Sequence, residues 1–125
     1  MLAATLETFG AVILREVSHP HVMAVFRLAI AEAIRSPKVA RTLHAAGREP
    51  TRAALSELLA RAQESGVIGS GDAREMAMEF LALLWSDLMV DLLLRIADAP
   101  QPGEIERRVA KATAAFLQLH PEPVP

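Results

Sequence analysis

The chain has 125 residues, a net charge of −2 and no cysteine. Its length corresponds to one domain that can bury roughly two thirds of its unfolded surface, and leaves no room for a second domain. The interspersed charges exclude a nucleic-acid surface built from clustered Lys and Arg, and the lack of cysteine excludes disulfides and thiolate metal sites. Hydrophobic residues make up 52% of the chain but aromatic residues only 4%, a mixture that favours helices over strands.

The N-terminus and the apolar runs bear on localisation. The first ten residues, MLAATLETFG, lack the basic start and continuous apolar run of a signal peptide. No stretch reaches the ~18 uninterrupted apolar residues of a membrane span. We therefore expect a cytoplasmic protein without a membrane partner.

The first part of the chain predicts three helices. Apolar residues at i, i+4, i+7 and i+11 predict an amphipathic helix from Leu2 to Val17. Ser18 is a plausible N-cap for a second helix, from His21 to Arg35, because Pro20 is tolerated in a first turn. The Ser36-Pro37 pair again places a possible N-cap residue before a proline in the first turn, and it predicts a short helix that ends at Gly47.

The next stretch predicts a helix and a well-defined loop. Leu55, Leu58 and Leu59 form the inward face of a helix over 51–65, and Gly66 before Val67-Ile68 has the pattern of a Gly-terminated helix. The loop over 69–71 then leads to Asp72, which with a glutamate three residues later forms a variant of the capping box.

The segment from Asp72 to Asp98 predicts one long helix that is apolar on two faces. Such a helix must pack against the core of its own chain on one side and face a partner subunit or a ligand cavity on the other. One face carries Met78, Leu81, Trp85, Leu88, Met89, Leu92 and Ile96, and the nearly opposite face carries Met76, Phe80, Leu83, Leu84 and Leu94.

The last predicted helix runs from Pro102 to about Leu119, and a Pro-rich tail over 121–125 is expected to fray. No window shows the alternation of a strand, and no fixed-period repeat occurs. The fold class is therefore all-α, a bundle of five to six helices, with one domain over residues 1–120.

No set of residues predicts catalysis, a metal site or a cofactor. His19 and His21 lack a third ligand at metal-binding spacing, and His44 and His120 are isolated. No nucleophile–base motif occurs, so we do not expect an enzyme. Asp87 and Asp91 would need a partner if they face the core, and Arg27 is the predicted partner of Asp87.

Three stretches carry a family resemblance over nearly the whole chain. They are FRLAIAEAIRSPKVARTLHAAGREPTRAALSELLARAQESGVI, FLALLWSDLMVDLLL and PQPGEIERRVAKATAAFLQLH. In the order and spacing of its elements, the chain resembles the C-terminal regulatory domain of TetR-family transcriptional repressors, most of all the AcrR-like branch.

This resemblance implies that the last two long helices of each subunit form a four-helix dimer interface and that the other helices enclose an effector cavity. It also implies that DNA is bound only through an N-terminal helix-turn-helix domain, which this chain lacks. The phase of a helical wheel leaves open which face of the 72–98 helix meets the partner. The implied interface is Leu81, Trp85, Leu88, Leu92, Val109 and Phe116, and the implied pocket is Phe26, Ile30, Leu55, Leu59, Phe80, Leu84 and Asp87.

The resulting functional hypothesis is a ligand-sensing and dimerisation domain of a TetR-type repressor. Its partners would be a second copy of itself and a small, mainly apolar effector. The alternative is a small helical protein–protein interaction module whose second apolar face binds a partner without any ligand.

Overall fold

The computed structural model describes residues 2–124, so the first residue of the predicted domain and the last residue of the predicted tail lie outside the described residues. These residues form α-helices and contain no strand, as the sequence predicts. Because a π-helical segment, His44–Arg48, joins α3 to α4, the described chain contains six continuous helical segments. The helices are α1 (Leu2–Val17), α2 (Pro20–Glu32), α3 (Lys38–Leu43), α4 (Glu49–Glu64), α5 (Ala73–Trp85), α6 (Leu88–Leu93) and α7 (Pro102–Leu119).

The core lies where α1, α4, α5 and α7 pack together. The rings of Phe80 and Phe116 meet edge to face with their centroids 5.6 Å apart, and both side chains are fully buried. The ring of His120, just past α7, bonds to the carboxylate of Glu79 on α5. Leu84, further along α5, lies with Val109, further back on α7, beside Gly10, so the two helices run antiparallel.

Gly10 is the point at which α1 approaches α5 and α7. A Cβ atom there would lie 3.2 Å from a Leu84 methyl group and 3.3 Å from a Val109 methyl group. Both distances are shorter than ordinary van der Waals contact. The missing side chain therefore sets how closely α1 can pack against α5 and α7.

The structure confirms the predicted loop between α4 and α5. Gly66 has a φ of 76°, and the amide of Val67 donates to the carbonyl of Ala62, which ends the helix as its sequence pattern predicts. The carboxylate of Asp72 accepts hydrogen bonds from the amides of Arg74 and Glu75 and caps α5.

The predicted cap of the second helix is wrong. The hydroxyl of Ser18 donates back to the carbonyl of Leu14, so it extends the first helix instead of capping the next. His19 is the N-cap, because its Nδ1 accepts the amide of His21 at 3.1 Å. The second helix also ends at Glu32, three residues before the predicted end.

The predicted helix end at Gly47 is also wrong, because the helix continues through it in π-helical form. The amide of Glu49 donates to the carbonyl of His44, five residues back. Pro50 has no amide hydrogen and its ring would clash with the carbonyl four residues before it, so a wider turn relieves the clash. The hydroxyl of Thr51 donates to the Gly47 carbonyl at 2.9 Å within this turn.

The predicted long helix from Asp72 to Asp98 is divided at Ser86. This residue has a φ of 45°, which an α-helix does not allow. After the break, α6 buries Leu88 and Leu92 in the protomer core. The guanidinium of Arg27 donates to the carbonyls of Leu92 at 2.8 Å and Leu93 at 2.9 Å, and these bonds favour an end of α6 at Leu93, before the predicted end of the long helix.

Helix α2 lies at the edge of the bundle. It buries only Met23 and Ala29, and it contacts α1, α3 and α6. Three of its large apolar side chains, Val25, Leu28 and Ile30, are exposed. Within the described part of the chain, no helix has both the length and the apolar composition needed to cross a membrane.

Candidate functional site

The seven predicted pocket residues do not converge on one cavity. Leu55, Leu59, Phe80 and Leu84 are packed in the core with at most 1% of their surface exposed. Phe26 is half-buried against the core, whereas Ile30 is 60% exposed. Asp87 is also exposed, and its predicted partner Arg27 binds main-chain carbonyls instead.

Most of the predicted interface residues are buried inside the protomer. Leu88, Leu92, Val109 and Phe116 expose at most 4% of their surface, because they pack against the protomer's own helices. They are therefore not available as surface anchors for a second copy. Leu81 and Trp85 are half-buried and also pack against the core.

A cleft of about 730 Å³ opens between α1 and α4. Most of its wall comes from one side of α1, and the remainder comes from the first turns of α4. Phe9 and Ile13 form its apolar floor, since both also belong to the core or pack against it. The lining residues are Ala4, Thr5, Thr8, Phe9, Val12, Ile13, Pro50, Thr51 and Ala54.

The polar groups of this cleft are threonine hydroxyls. The Thr8 hydroxyl donates to the Ala4 carbonyl at 3.0 Å, and the Thr51 hydroxyl donates to the Gly47 carbonyl at 2.9 Å. Each oxygen keeps lone pairs that can accept a further hydrogen bond. No ionisable side chain lines the cleft.

A second concave surface, a groove of about 800 Å³, lies between α5 and α7. Alanines form much of its floor, so another helix could approach the backbone of α5 and α7 closely. Charged groups of both signs stand along it. The lining residues are Glu79, Ala82, Leu83, Leu84, Ser86, Glu104, Arg107, Arg108, Lys111, Ala112 and Ala115.

Arg108 lines this groove and has an unsatisfied donor. Its Nε is buried and has no hydrogen-bond partner among residues 2–124. A buried donor without a partner costs about 1–3 kcal/mol, and the cost is larger for a charged group. Rotation of this side chain towards a carboxylate or carbonyl that another molecule brings into the groove would remove that cost.

A cluster of charges ties the start of α4 to the start of α5. Glu49 and Arg74 form an ion pair at 2.9 Å, and His44 lies 3.7 Å from the same carboxylate. The hydrogen bond from Arg74 lowers the pKa of Glu49, and the charges of Arg74, His44 and Arg52 lower it further. Partial burial and the neighbouring Arg52 lower the pKa of the Arg48 guanidinium.

The histidines do not form a metal site. The rings of His19 and His21 lie 4.9 Å apart, but a hydrogen bond to the main chain already occupies one nitrogen of His19. Among residues 2–124, no group of three His, Asp or Glu side chains is arranged so that it could hold a metal ion.

Comparison with known families decides where this fold belongs. A family profile described as "AefR-like transcriptional repressor, C-terminal domain" matches residues 4–120. The chain belongs to the TetR family. Comparison with curated proteins found no significant match.

Two solved TetR-family structures share the fold. A TetR transcriptional regulator from Agrobacterium tumefaciens is 33% identical, superposes with a TM-score of 0.82, and is matched over 95% of this chain and 60% of its own. A putative TetR-family transcriptional regulator from Mesorhizobium loti is 21% identical with a TM-score of 0.88, over 96% of this chain and 59% of its own. The chain thus spans about three fifths of these regulators, which belong to a family of transcription factors that are generally not enzymes.

The sequence of this TetR-family domain contains a weak signal for the cleft. Thr5, Thr8 and Val12 follow helical spacing along one flank of the apolar stripe of α1. Such a flank is an ordinary boundary between core and solvent in most amphipathic helices. Only the position of α4 opposite this flank distinguishes it as a cleft.

Proposed function

We propose that this TetR-family domain dimerises through the groove between α5 and α7 and senses a small effector in the cleft between α1 and α4. In a longer regulator of this family, it would control a DNA-binding domain as part of a repressor. The observation that carries the dimer is the buried, unpartnered Nε of Arg108 in a groove floored by alanines.

The composition of the groove supports a second copy as its occupant. A two-fold dimer uses the same surface on both subunits, so that surface must be complementary to itself. This groove carries Glu79 and Glu104 as acceptors, and Arg107, Arg108 and Lys111 as donors. Acidic groups of one copy can therefore meet basic groups of the other, and the alanines allow the helices to approach closely.

The position of the cleft supports effector control. One long wall of the cleft is α1, the first helix of the domain, and α1 also packs on α7. A ligand that binds one arrangement of α1 and α4 more tightly than another shifts the population between them. The same shift would change the DNA affinity of a domain attached ahead of α1 by an equal coupling free energy.

Sedimentation of the purified chain tests the dimer. At micromolar concentration we expect a dimer, and Ala82→Arg in the groove should shift it towards monomer. Ala82 is exposed in the protomer, so the change leaves the core intact. Ala24→Arg, at an exposed position on α2, is the matched control and should stay dimeric.

Arg108→Ala tests the contribution of the unpaired donor to the dimer separately from that of the groove's shape. If a second copy supplies the missing acceptor, this change should weaken the dimer by about 1–3 kcal/mol. A wild-type chain that sediments as a monomer would contradict the dimer. It would favour the alternative of a helical interaction module, for which the exposed apolar residues Val25, Leu28 and Ile34 are the candidate surface.

A further inference from the structure

We propose that the effector of the α1–α4 cleft is an uncharged amphiphile, a molecule with an apolar chain and a neutral hydrogen-bond-donating group such as a hydroxyl or amide. This inference rests on the proposed function, because it assigns a chemical class to the same cleft.

The charge of the ligand follows from the lining. Every residue that lines the cleft is apolar or carries a neutral hydroxyl. The charged residues next to lining positions along the two helices, Glu7 on α1 and Glu49 and Arg52 on α4, are not part of the wall. A carboxylate or ammonium in the cleft would lose hydration without gaining a counter-ion, which is unfavourable.

The donor on the ligand follows from the threonine geometry. The hydroxyl protons of Thr8 and Thr51 are directed at main-chain carbonyls of their own helices. These hydroxyls therefore present oxygen lone pairs to the cleft as acceptors. A ligand hydroxyl or amide can donate to them, whereas an ester or ether cannot.

The apolar chain follows from the shape of the α1 wall. The wall runs from Ala4 to Ile13, which is about 14 Å along a helix axis and corresponds to a chain of roughly ten carbon atoms. The hydroxyls of Thr5 and Thr8 lie towards the beginning of α1, and Val12 and Ile13 lie further along. The wall thus changes from polar to apolar along its length, as an amphiphile requires.

Calorimetric titration of the chain with four octyl compounds tests this class. The probes are 1-octanol, methyl octanoate, octanoate and octylamine, each below its solubility limit and, for the two ions, below the micelle-forming concentration. We expect 1-octanol to bind most tightly. Methyl octanoate, which lacks the donor, should bind roughly three- to tenfold more weakly. The two ions should bind at least about tenfold more weakly than 1-octanol.

A charge placed in the wall should reverse this preference. Val12 lines the cleft and is 43% exposed, so Val12→Lys adds a cation without disturbing the core. Octanoate should then bind about threefold or more tightly than to the wild type. Val25→Lys is the matched control, because Val25 on α2 is also 43% exposed but lies outside the cleft. It should leave the affinity for octanoate unchanged.

The outcomes separate the ligand class from the proposed function. If octanoate or octylamine binds the wild type as tightly as 1-octanol, the ligand need not be uncharged and this inference is overturned, while the cleft remains an effector site. Equal binding of methyl octanoate and 1-octanol overturns the donor requirement. If none of the four compounds binds, or if Val12→Lys and Val25→Lys act alike, the cleft is not the effector site and the proposed sensing function fails.

Discussion

The helices α7 and α2 show that burial does not follow apolar content, because α2 is the more apolar helix and α7 buries more residues. Helix α7 buries five residues between α1 and α5, including Val109 and Phe116. Helix α2 buries only Met23 and Ala29, and it leaves large apolar side chains in solvent. The apolar content of a helix therefore does not determine how much the helix contributes to the core. Its contribution depends on whether other helices cover it.

The largest effect is expected when an aromatic core residue of α7 is truncated and compared with an apolar surface residue of α2. Phe116→Ala should lower the free energy of unfolding by about 3–5 kcal/mol, because it removes a fully buried ring and leaves a cavity beside Phe80. Leu28→Ala on α2, where the side chain is 51% exposed, should change it by less than about 1 kcal/mol. Denaturant unfolding measures both, and equal effects would contradict the assignment of α2 to the edge.

A smaller effect is expected where α1 crosses the core helices. Gly10→Val should cost about 1–3 kcal/mol, because its side chain would overlap the methyl groups of Leu84 and Val109. Gly47→Ala is the control, since no atom lies within 4 Å of its Cβ position, and it should be neutral or slightly stabilising. Denaturant midpoints distinguish the two variants. A harmless valine at position 10 would mean that α1 is free to move away from the core.

At the break between α5 and α6, a change to glycine should raise the stability of the fold. Ser86 has φ 45° and ψ −127°, a strained conformation for any residue with a side chain. Ser86→Gly should therefore stabilise the fold by about 1 kcal/mol, measured as a rise in Tm. Ser36→Gly, at an exposed position with negative φ, should bring no gain. Destabilisation by glycine at position 86 would argue that the long helix is continuous.

The smallest expected effect concerns the exposed ion pair between α4 and α5. The hydrogen bond from Arg74 lowers the pKa of Glu49 below its ordinary value of 4.5. A carboxylate with a lowered pKa stabilises the fold above its ordinary pKa, and this contribution is lost as the pH falls through the lowered value. As the pH falls from about 5 to about 3, the Tm should thus decrease more steeply for the wild type than for Glu49→Gln. Arg74→Met should show the same shallow profile as Glu49→Gln, and three identical profiles would refute the coupling.

The helix ends show how far sequence patterns reach. Gly66 and Asp72 act as predicted, because each forms hydrogen bonds within a few residues of its own position. Ser18 and Gly47 do not, although their local patterns looked equally clear. The side chain of His19 competed for one cap, and Pro50 caused a π-helical turn at the other position.

The candidate sites were less predictable because they depend on packing between distant elements. The predicted pocket and interface used the most apolar residues of each helix, such as Phe80 and Phe116. Those residues fill the protomer core, since burying them there gives the largest gain in free energy. The concave surfaces depend also on residues at the flanks of the apolar stripes, such as Thr8 and Ala82, which helical patterns rank low.

The sequence by itself determined that the chain is all-α, where the loop between α4 and α5 lies, and which family the chain resembles. These features follow from local hydrogen bonding, apolar periodicity and the order of elements. The tertiary structure decided that the 72–98 segment divides at Ser86 and that α6 ends at Leu93, and it decided which apolar faces are covered. The physical reason is that burial and the bonds from Arg27 to the end of α6 join residues far apart in the chain, which no local pattern records.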